Sequence, residues 1–291
     1  MIKKCFLLLL IAVSLPLSGC YDAVEIDDLA YVVAVGIDRG EQKTYRITLQ
    51  YAVPLNIAGG IDGSPGEEAP LSAITTETDS MHLALEMANA KLAKTTDFSH
   101  LNVILLGESA SKTDLSYLRE DLKTLADIPK DACLAVCKGS ASDKLSSVSS
   151  PLELNPSRYY TDFFAEPSSG YGLKQHLSAF LTSSSALALP YLSESETFEI
   201  THMAVLKEDT LFKLYPKEDI LLYNLMTGDF QDLKYETEHG VYRLDARSTP
   251  KISVRVENIP VISVSLDLTG EPLAGRRFKG TIWLQGRVEK A

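Results

Sequence analysis

Ser109-Ala-Ser-Lys112 fits the S-x-x-K pattern of a serine nucleophile with a lysine base. The Ser-Asp-Asn and Lys-Thr-Gly companions of that pattern are missing, and a four-residue match is expected by chance in a chain of 291 residues. Gly107-Glu-Ser-Ala-Ser111 narrowly misses G-x-S-x-G, because the second glycine of that sharp turn is absent. The five histidines (82, 100, 176, 202 and 239) are scattered, with no His-x-x-x-His or His-Glu-x-x-His, so no metal site is expected. Neither G-x-G-x-x-G nor a P-loop occurs. No catalytic residue is therefore assigned, and the chain is not read as an enzyme.

Cys20 carries the most specific chemistry. Lys3 and Lys4 precede an apolar run from Phe6 to Ser18, about 20 Å long as a helix and too short for a hydrocarbon core of about 30 Å. This is a signal peptide rather than a permanent span. Leu17-Ser18-Gly19-Cys20 then reads as a lipobox: a branched apolar residue, two small residues and cysteine. Such a cysteine takes a diacylglyceryl thioether and becomes the first residue of the mature chain. Two or three acyl chains anchor stably where one binds only marginally. No cofactor beyond this covalent lipid is expected.

Two further cysteines stay in the body, in Ala132-Cys-Leu-Ala-Val-Cys137. On a strand, i and i+4 lie about 13 Å apart, too far for a disulfide. Both read as small buried hydrophobes. Charge limits the partners. Loss of residues 1–19 removes two lysines and no acid, taking the net charge from −11 to −13. An acidic surface disfavours nucleic acid and passive adhesion to anionic headgroups. Asp22, Glu25, Asp27 and Asp28 place four acids just beyond the lipid. They read as a solvated tether combined with docking, in which Glu25 and Asp28 serve structure or docking.

The elements follow from periodicity. Leu29 to Ile37 is a β-rich apolar run, Asp38 to Lys43 a turn, and Tyr45, Ile47, Leu49, Tyr51 and Val53 alternate, so the pair forms a hairpin. Gly36 marks a bulge or a close backbone contact, and Asp38 closes the turn through its own backbone. Residues 56–72 are a Gly/Pro-rich loop. Met81, Leu85, Ala88 and Leu92 predict a helix capped by Asp79, and Leu115, Leu118, Leu122 and Leu125 a second capped by Thr113. With strands at Leu101–Leu106 and Ala132–Cys137, residues 74–137 alternate strand and helix. A third helix is expected at Leu173–Leu181, after a Ser-rich stretch at 139–151. Composition shifts again at 184–197. Strands Ile200–Leu206 and Thr210–Leu214 flank a Glu208-Asp209 turn, and Pro216 opens a short helix over Ile220–Leu225 with a Gly228 cap. Ile252–Val256, Val261–Leu268 and Thr281–Val288 make the tail β-rich. The expected class is α+β, multi-domain, with mixed sheets, packed helices and a β-rich C-terminal region. Its expected parts are a signal peptide at 1–19, an N-terminal α/β domain at 20–196, a small middle domain at 197–244 and a partial or shortened third domain at 245–291.

The stretch from Cys20 to Asp38 closely resembles the start of the mature C subunit of spore germinant receptors, the Ger(x)C lipoprotein family. The matching positions are Cys20, Tyr21, Asp22, Glu25, Ile26, Asp28, Leu29, Gly36, Ile37 and Asp38. The family more often has Trp where Tyr21 stands. Phe98 to Ala110, with its Gly-Glu-x-Ala ending, and Leu206 to Asp219 are similar to later family segments. Members usually continue into a longer third domain. The resemblance implies a lipoprotein on the outer face of the spore inner membrane. It also implies assembly with membrane-spanning A and B subunits to sense nutrients, without enzymatic activity. Two other readings remain from the residues alone. A solute-binding lipoprotein of a transporter would need a pocket between two lobes, and the chain shows no doubled α/β half. A surface hydrolase would need a base beside Ser109.

Overall fold

Val103-Ile-Leu-Leu-Gly107 and Cys133-Leu-Ala-Val-Cys137 are apolar at every position. Strands of that kind must be covered on both faces, which calls for a parallel sheet between two helix layers. The computed structural model has this arrangement. It describes residues 25, 28–53, 71–149, 156–165, 172–183, 186–217, 219–220 and 223–224, and the backbone of five strands between 233 and 287.

Nine strands form the main sheet: β1 (Leu29–Arg39), β2 (Tyr45–Ala52), β3 (Leu71–Thr78), β4 (Thr95–Asp97), β5 (Val103–Gly107), β6 (Cys133–Cys137), β7 (Leu187–Leu192), β8 (Ile200–Lys207) and β9 (Thr210–Pro216). Their order is β3-β2-β1-β5-β6-β7-β8-β9, with β4 beside the start of β1. The centre, β1-β5-β6-β7, is parallel, and antiparallel hairpin strands extend it on both sides. The helices packed with the sheet include α1 (Met81–Leu92), α2 (Glu108–Ser111), α3 (Ser116–Thr124), α4 (Ala141–Ser147), α5 (Pro156–Ala165) and α6 (Leu177–Thr182).

Alternation along the strands sorts the core into two layers. Ile104, Leu106, Leu134 and Val136 pack with Met81, Ala88, Leu118, Leu122, Leu177 and Phe180 of α1, α3 and α6. Val103, Leu105, Cys133 and Ala135 pack with Ala141, Leu145, Tyr160 and Phe164 of α4 and α5. The fold class is α+β. A separate antiparallel sheet holds β10 (Leu233–Thr237), β11 (Gly240–Leu244), β12 (Lys251–Val256), β13 (Val261–Pro272) and β14 (Phe278–Arg287).

Several local expectations change. Ser80, not Asp79, caps α1, its hydroxyl accepting from the Leu83 amide at 3.2 Å. Asp79 instead takes Lys43 Nζ at 2.8 Å and the Thr44 amide at 3.0 Å, closing the β1–β2 turn onto the end of β3. Thr113 does not cap α3, because its hydroxyl donates to the Ala110 carbonyl at 2.7 Å. At that end Asp114 accepts the Ser116 amide at 2.9 Å, and the Leu115 amide donates to Asp209 O at 2.9 Å in the β8–β9 turn. Glu208 and Asp209 both adopt positive φ, 50° and 60°, as a tight hairpin requires. Pro216 is the last residue of β9, and helical residues follow it at once at 217, 219–220 and 223–224, in line with the expected short helix; residues 218, 221–222 and 225–230 lie outside the described residues. Hydrogen bonding does not stop at residue 196, since β7 pairs with β8 from Leu187 to Leu192.

Candidate functional site

Gly36 and Asp38 of the signature gather with Gly107 and Glu108 at the carboxyl ends of β1 and β5, beside the end of β6. Asp38 is the last buried residue of β1, 5% exposed. Its carboxylate crosses to the start of α4. Oδ1 accepts the Ala141 amide at 2.7 Å, and Oδ2 accepts the Ser142 amide at 2.9 Å and the Ser140 hydroxyl at 3.0 Å. Ser140 Oγ in turn accepts the Asp143 amide at 3.3 Å and Arg46 Nη2 at 3.1 Å. Three orphan amides of the helix and one half-buried arginine thus meet one carboxylate and one hydroxyl. Asp38 therefore acts about a hundred residues away and does not close its own turn.

Two glycines make room for this junction. A Cβ on Gly36 would stand 3.1 Å from Leu145 Cδ1 and 3.3 Å from Ala141 Cβ, so α4 lies almost against the β1 backbone. The β1–β2 bulge falls between Val32 and Ala34, which leaves close contact as the role of Gly36. A Cβ on Gly107 would stand 2.0 Å from Asp38 Oδ1. The Gly-Ile-Asp and Gly-Glu elements of the sequence are two halves of one joint.

Glu108, next in the chain, accepts Lys112 Nζ at 2.5 Å and the Tyr191 hydroxyl at 2.7 Å. These donors hold its carboxyl below the usual glutamate range, Lys112 first. Burial and the Glu108 carboxylate push the Tyr191 phenol up. The lysine of the S-x-x-K match is thereby turned onto Glu108. Ser109 is exposed, and no His or Lys hydrogen-bonds to it among the described residues.

Behind the joint, Lys144 of α4 is only 3% exposed. Its ammonium donates to the Ser195 and Thr197 carbonyls and sits 5.4 Å from the Phe198 ring centroid. Burial pushes its pKa down. The same helix presents Leu145 O to Gln50 Nε2 at 3.0 Å, and Gln50 Oε1 accepts the buried Tyr160 hydroxyl at 2.8 Å. Tyr159, Tyr160, Phe163, Phe164 and Phe198 then form a continuous aromatic cluster. Lys144 and Tyr160 were invisible to sequence reasoning. Their elements are short, and the signal that could have found Tyr160 is the i, i+4 spacing of Tyr159 with Phe163 and of Tyr160 with Phe164.

Cys133 and Cys137 are free and buried in β6. Burial pushes their thiols up to about 11 and about 12, and the Asp38 carboxylate adds to the rise at Cys137. Thiolate is the reactive form, so both are inert at neutral pH. We expect maleimide to leave both unlabelled in the folded chain at pH 7 and to modify both in denaturant. Mass-spectrometric detection of label at either position in the folded chain would refute this account.

The remaining sequence-derived residues divide simply. Glu25 and Asp28 are exposed, joined by an Asp28 amide to Glu25 carbonyl bond of 3.0 Å, and Leu29 is half-buried at the start of β1. Leu17, Ser18, Gly19, Cys20, Tyr21 and Asp22 lie outside the described residues. Among the described residues, no three His, Cys, Asp or Glu side chains converge as a metal site.

The fold defines a class: a three-layer domain whose most sequence-specific residues lock a helix onto a strand end. Residues 22–194 match the family described as spore germination protein N-terminal domain. That is more than half of the chain, and the chain belongs to this family of spore germination proteins, the Ger(x)C group. It is 30% identical over 160 residues to spore germination protein KC of Bacillus subtilis (strain 168), covering 54% of this chain and 39% of that one. It is 27% identical over 231 residues to the putative spore germination protein YfkR of the same organism, covering 75% and 59%. With spore germination protein A3 of that organism it shares 32% over 96 residues, covering 33% and 25%. The chain thus spans less than two thirds of the length of each of these relatives. No solved structure matches it.

Proposed function

We propose that this chain is a non-catalytic lipoprotein subunit of a nutrient germinant receptor. In this reading Cys20 carries the lipid, the body stands on the outer face of the spore inner membrane, and the partners are the receptor's A and B subunits. The family match over residues 22–194 carries the proposal. The lipobox at Leu17–Cys20 supports the anchor. Among the described residues no helix is long and apolar enough to cross a membrane. Gly36 and Asp38 of the signature serve packing and capping, which suits a subunit that presents surfaces to partners. Deletion of the gene, together with any paralogue, is expected to abolish germination in response to the receptor's nutrient. An affinity-tagged chain is expected to bring A and B subunits out of detergent-solubilised spore membranes. Normal nutrient germination in the deletion strain would overturn the proposal.

A further inference from the structure

The last hairpin of the main sheet makes a turn that its own residues do not favour. Lys207 pairs with Thr210, which leaves Glu208 and Asp209 as a two-residue loop, both at positive φ. Loops of this kind are ordinarily built from Asn-Gly or Asp-Gly, and neither residue here is glycine. Contacts from outside the turn must therefore hold it.

The helical layer supplies them through Asp209. Its carbonyl accepts the amide of Leu115, the residue that opens α3 and has no polar side chain to cap it. Its carboxylate pairs with the Arg119 guanidinium, one turn further along α3. The side chains of Asp209 and Arg119 are only 12% and 18% exposed. Arg119 Nη1 also donates to Ser183 O at 3.0 Å, where α6 ends, and the guanidinium lies 5.1 Å from the Phe180 ring centroid. Its Nε is buried with no hydrogen-bond partner among the described residues. One arginine thus joins α3, α6 and the β8–β9 turn. Ala204 and Leu206 of β8 share the apolar core of Leu118 and Phe180, and Leu214 of β9 packs against it.

We propose that the Arg119–Asp209 pair is a conformational clamp, which makes β8 and β9 one rigid body with α3 and α6 and so fixes the point, at Pro216, where the chain leaves the main sheet. The two partners stand on either side of residue 194, where the family match ends. The clamp thus binds a segment beyond the matched domain to a helix inside it. A buried charge left without its partner is costly, so loss of either side chain frees the hairpin to open. Lysine would not serve in place of Arg119. Only a planar fork reaches Asp209 and Ser183 together while lying against Phe180.

Hydrogen exchange of the full-length chain in detergent micelles, read by mass spectrometry, tests this. In the parent chain the hydrogen-bonded amides of β8 and β9 are expected to exchange within about tenfold of those of β5 and β6, as one cooperative unit does. Asp209→Gly separates the clamp from the turn. Glycine suits positive φ, so a hairpin held by its turn alone would exchange more slowly or at an unchanged rate. The clamp requires the reverse, exchange of β8 and β9 about a hundredfold faster. Arg119→Met should give a similar acceleration, and the two substitutions together no more than either alone. Glu208→Gly relieves the turn, leaves the pair intact and should not accelerate exchange. Asp209→Asn, the mildest change, should accelerate it about tenfold with the circular dichroism spectrum unchanged. Exchange in the Asp209→Gly chain no faster than in the parent would overturn the proposal. So would additive effects of Asp209→Gly and Arg119→Met, or a β8–β9 hairpin that exchanges far ahead of β5 and β6 in the parent chain.

Discussion

Asp38→Ala is expected to destabilise the main domain by about 3 kcal/mol, seen as a lower urea midpoint and a melting temperature about 6–12 °C lower. The substitution strips acceptors from the Ala141 and Ser142 amides and from the Ser140 hydroxyl. A buried donor left without a partner costs about 1–3 kcal/mol. Ser140 still accepts the Asp143 amide, so α4 keeps part of its cap and the loss stays short of unfolding. Gly107→Ala should cost about 2–3 kcal/mol through a different atom of the same joint. Its methyl would stand 2.0 Å from Asp38 Oδ1, so the carboxylate must leave the Ala141 amide. The two effects share one carboxylate and cannot add. In the double variant the clash partner is gone, and the combined loss should fall short of the sum by about 1–2 kcal/mol. Additive losses, or an Asp38→Ala chain as stable as the parent, would remove the joint from the account.

Asp38 also shows where sequence reasoning stops. Its position in a Gly-Ile-Asp pattern was legible, and Gly36 was legible as either a bulge or a close contact, which only the structure decides. Its partners were not, because no local spacing connects it to Ala141 or Ser142. A turn-closing aspartate and a long-range helix cap look alike in the residues beside them. The all-apolar strands β5 and β6 were legible for the opposite reason, since burial on both faces is written into each position. Even the two inert cysteines followed from strand geometry alone.

The elements that went unseen are those stabilised from outside. Ala141-Ser-Asp-Lys-Leu-Ser-Ser147 has three serines and one large apolar residue, a weak helix by propensity. Asp38, Ser140 and the buried Lys144 hold it in place. β7 contains Pro190, which argues against an interior strand, yet all six of its residues are buried and Pro190 stands opposite Met203. In α1 the spacing identified a helix but not its orientation. Leu85 and Leu92 are only half-buried while Ala84 is wholly buried, which turns Leu83 and Met87 outward. Asp79 and Ser80 are equally good capping types, and only the reach of Lys43 decides between them.

Cys20→Ala is expected to have the largest effect of any single substitution on where the chain resides. Each buried methylene of an acyl chain contributes about 0.8 kcal/mol to membrane binding, so two long chains hold far more than one. Little else would replace them. The body without residues 1–19 has a net charge of −13, which anionic headgroups repel. Because the substitution also blocks cleavage, the apolar run from Phe6 to Ser18 would remain on the precursor and retain some of it. Two readouts separate the effects. The Cys20→Ala chain should take up no labelled palmitate and should migrate as the longer precursor. A chain with an ordinary secretory signal in place of residues 1–19 and alanine at 20 should appear wholly in the soluble fraction, folded, with Cys133 and Cys137 still protected. Such a chain is expected to fail in germination despite its intact fold. Residues 20–28 span at most about 30 Å when extended, so under the proposed anchoring a lipid on Cys20 would keep the body within that distance of the membrane and of any receptor subunit in it. Release from the membrane removes this local concentration while leaving every contact residue in place. Full germination by the soluble, unlipidated chain at native abundance would show that the anchor is dispensable.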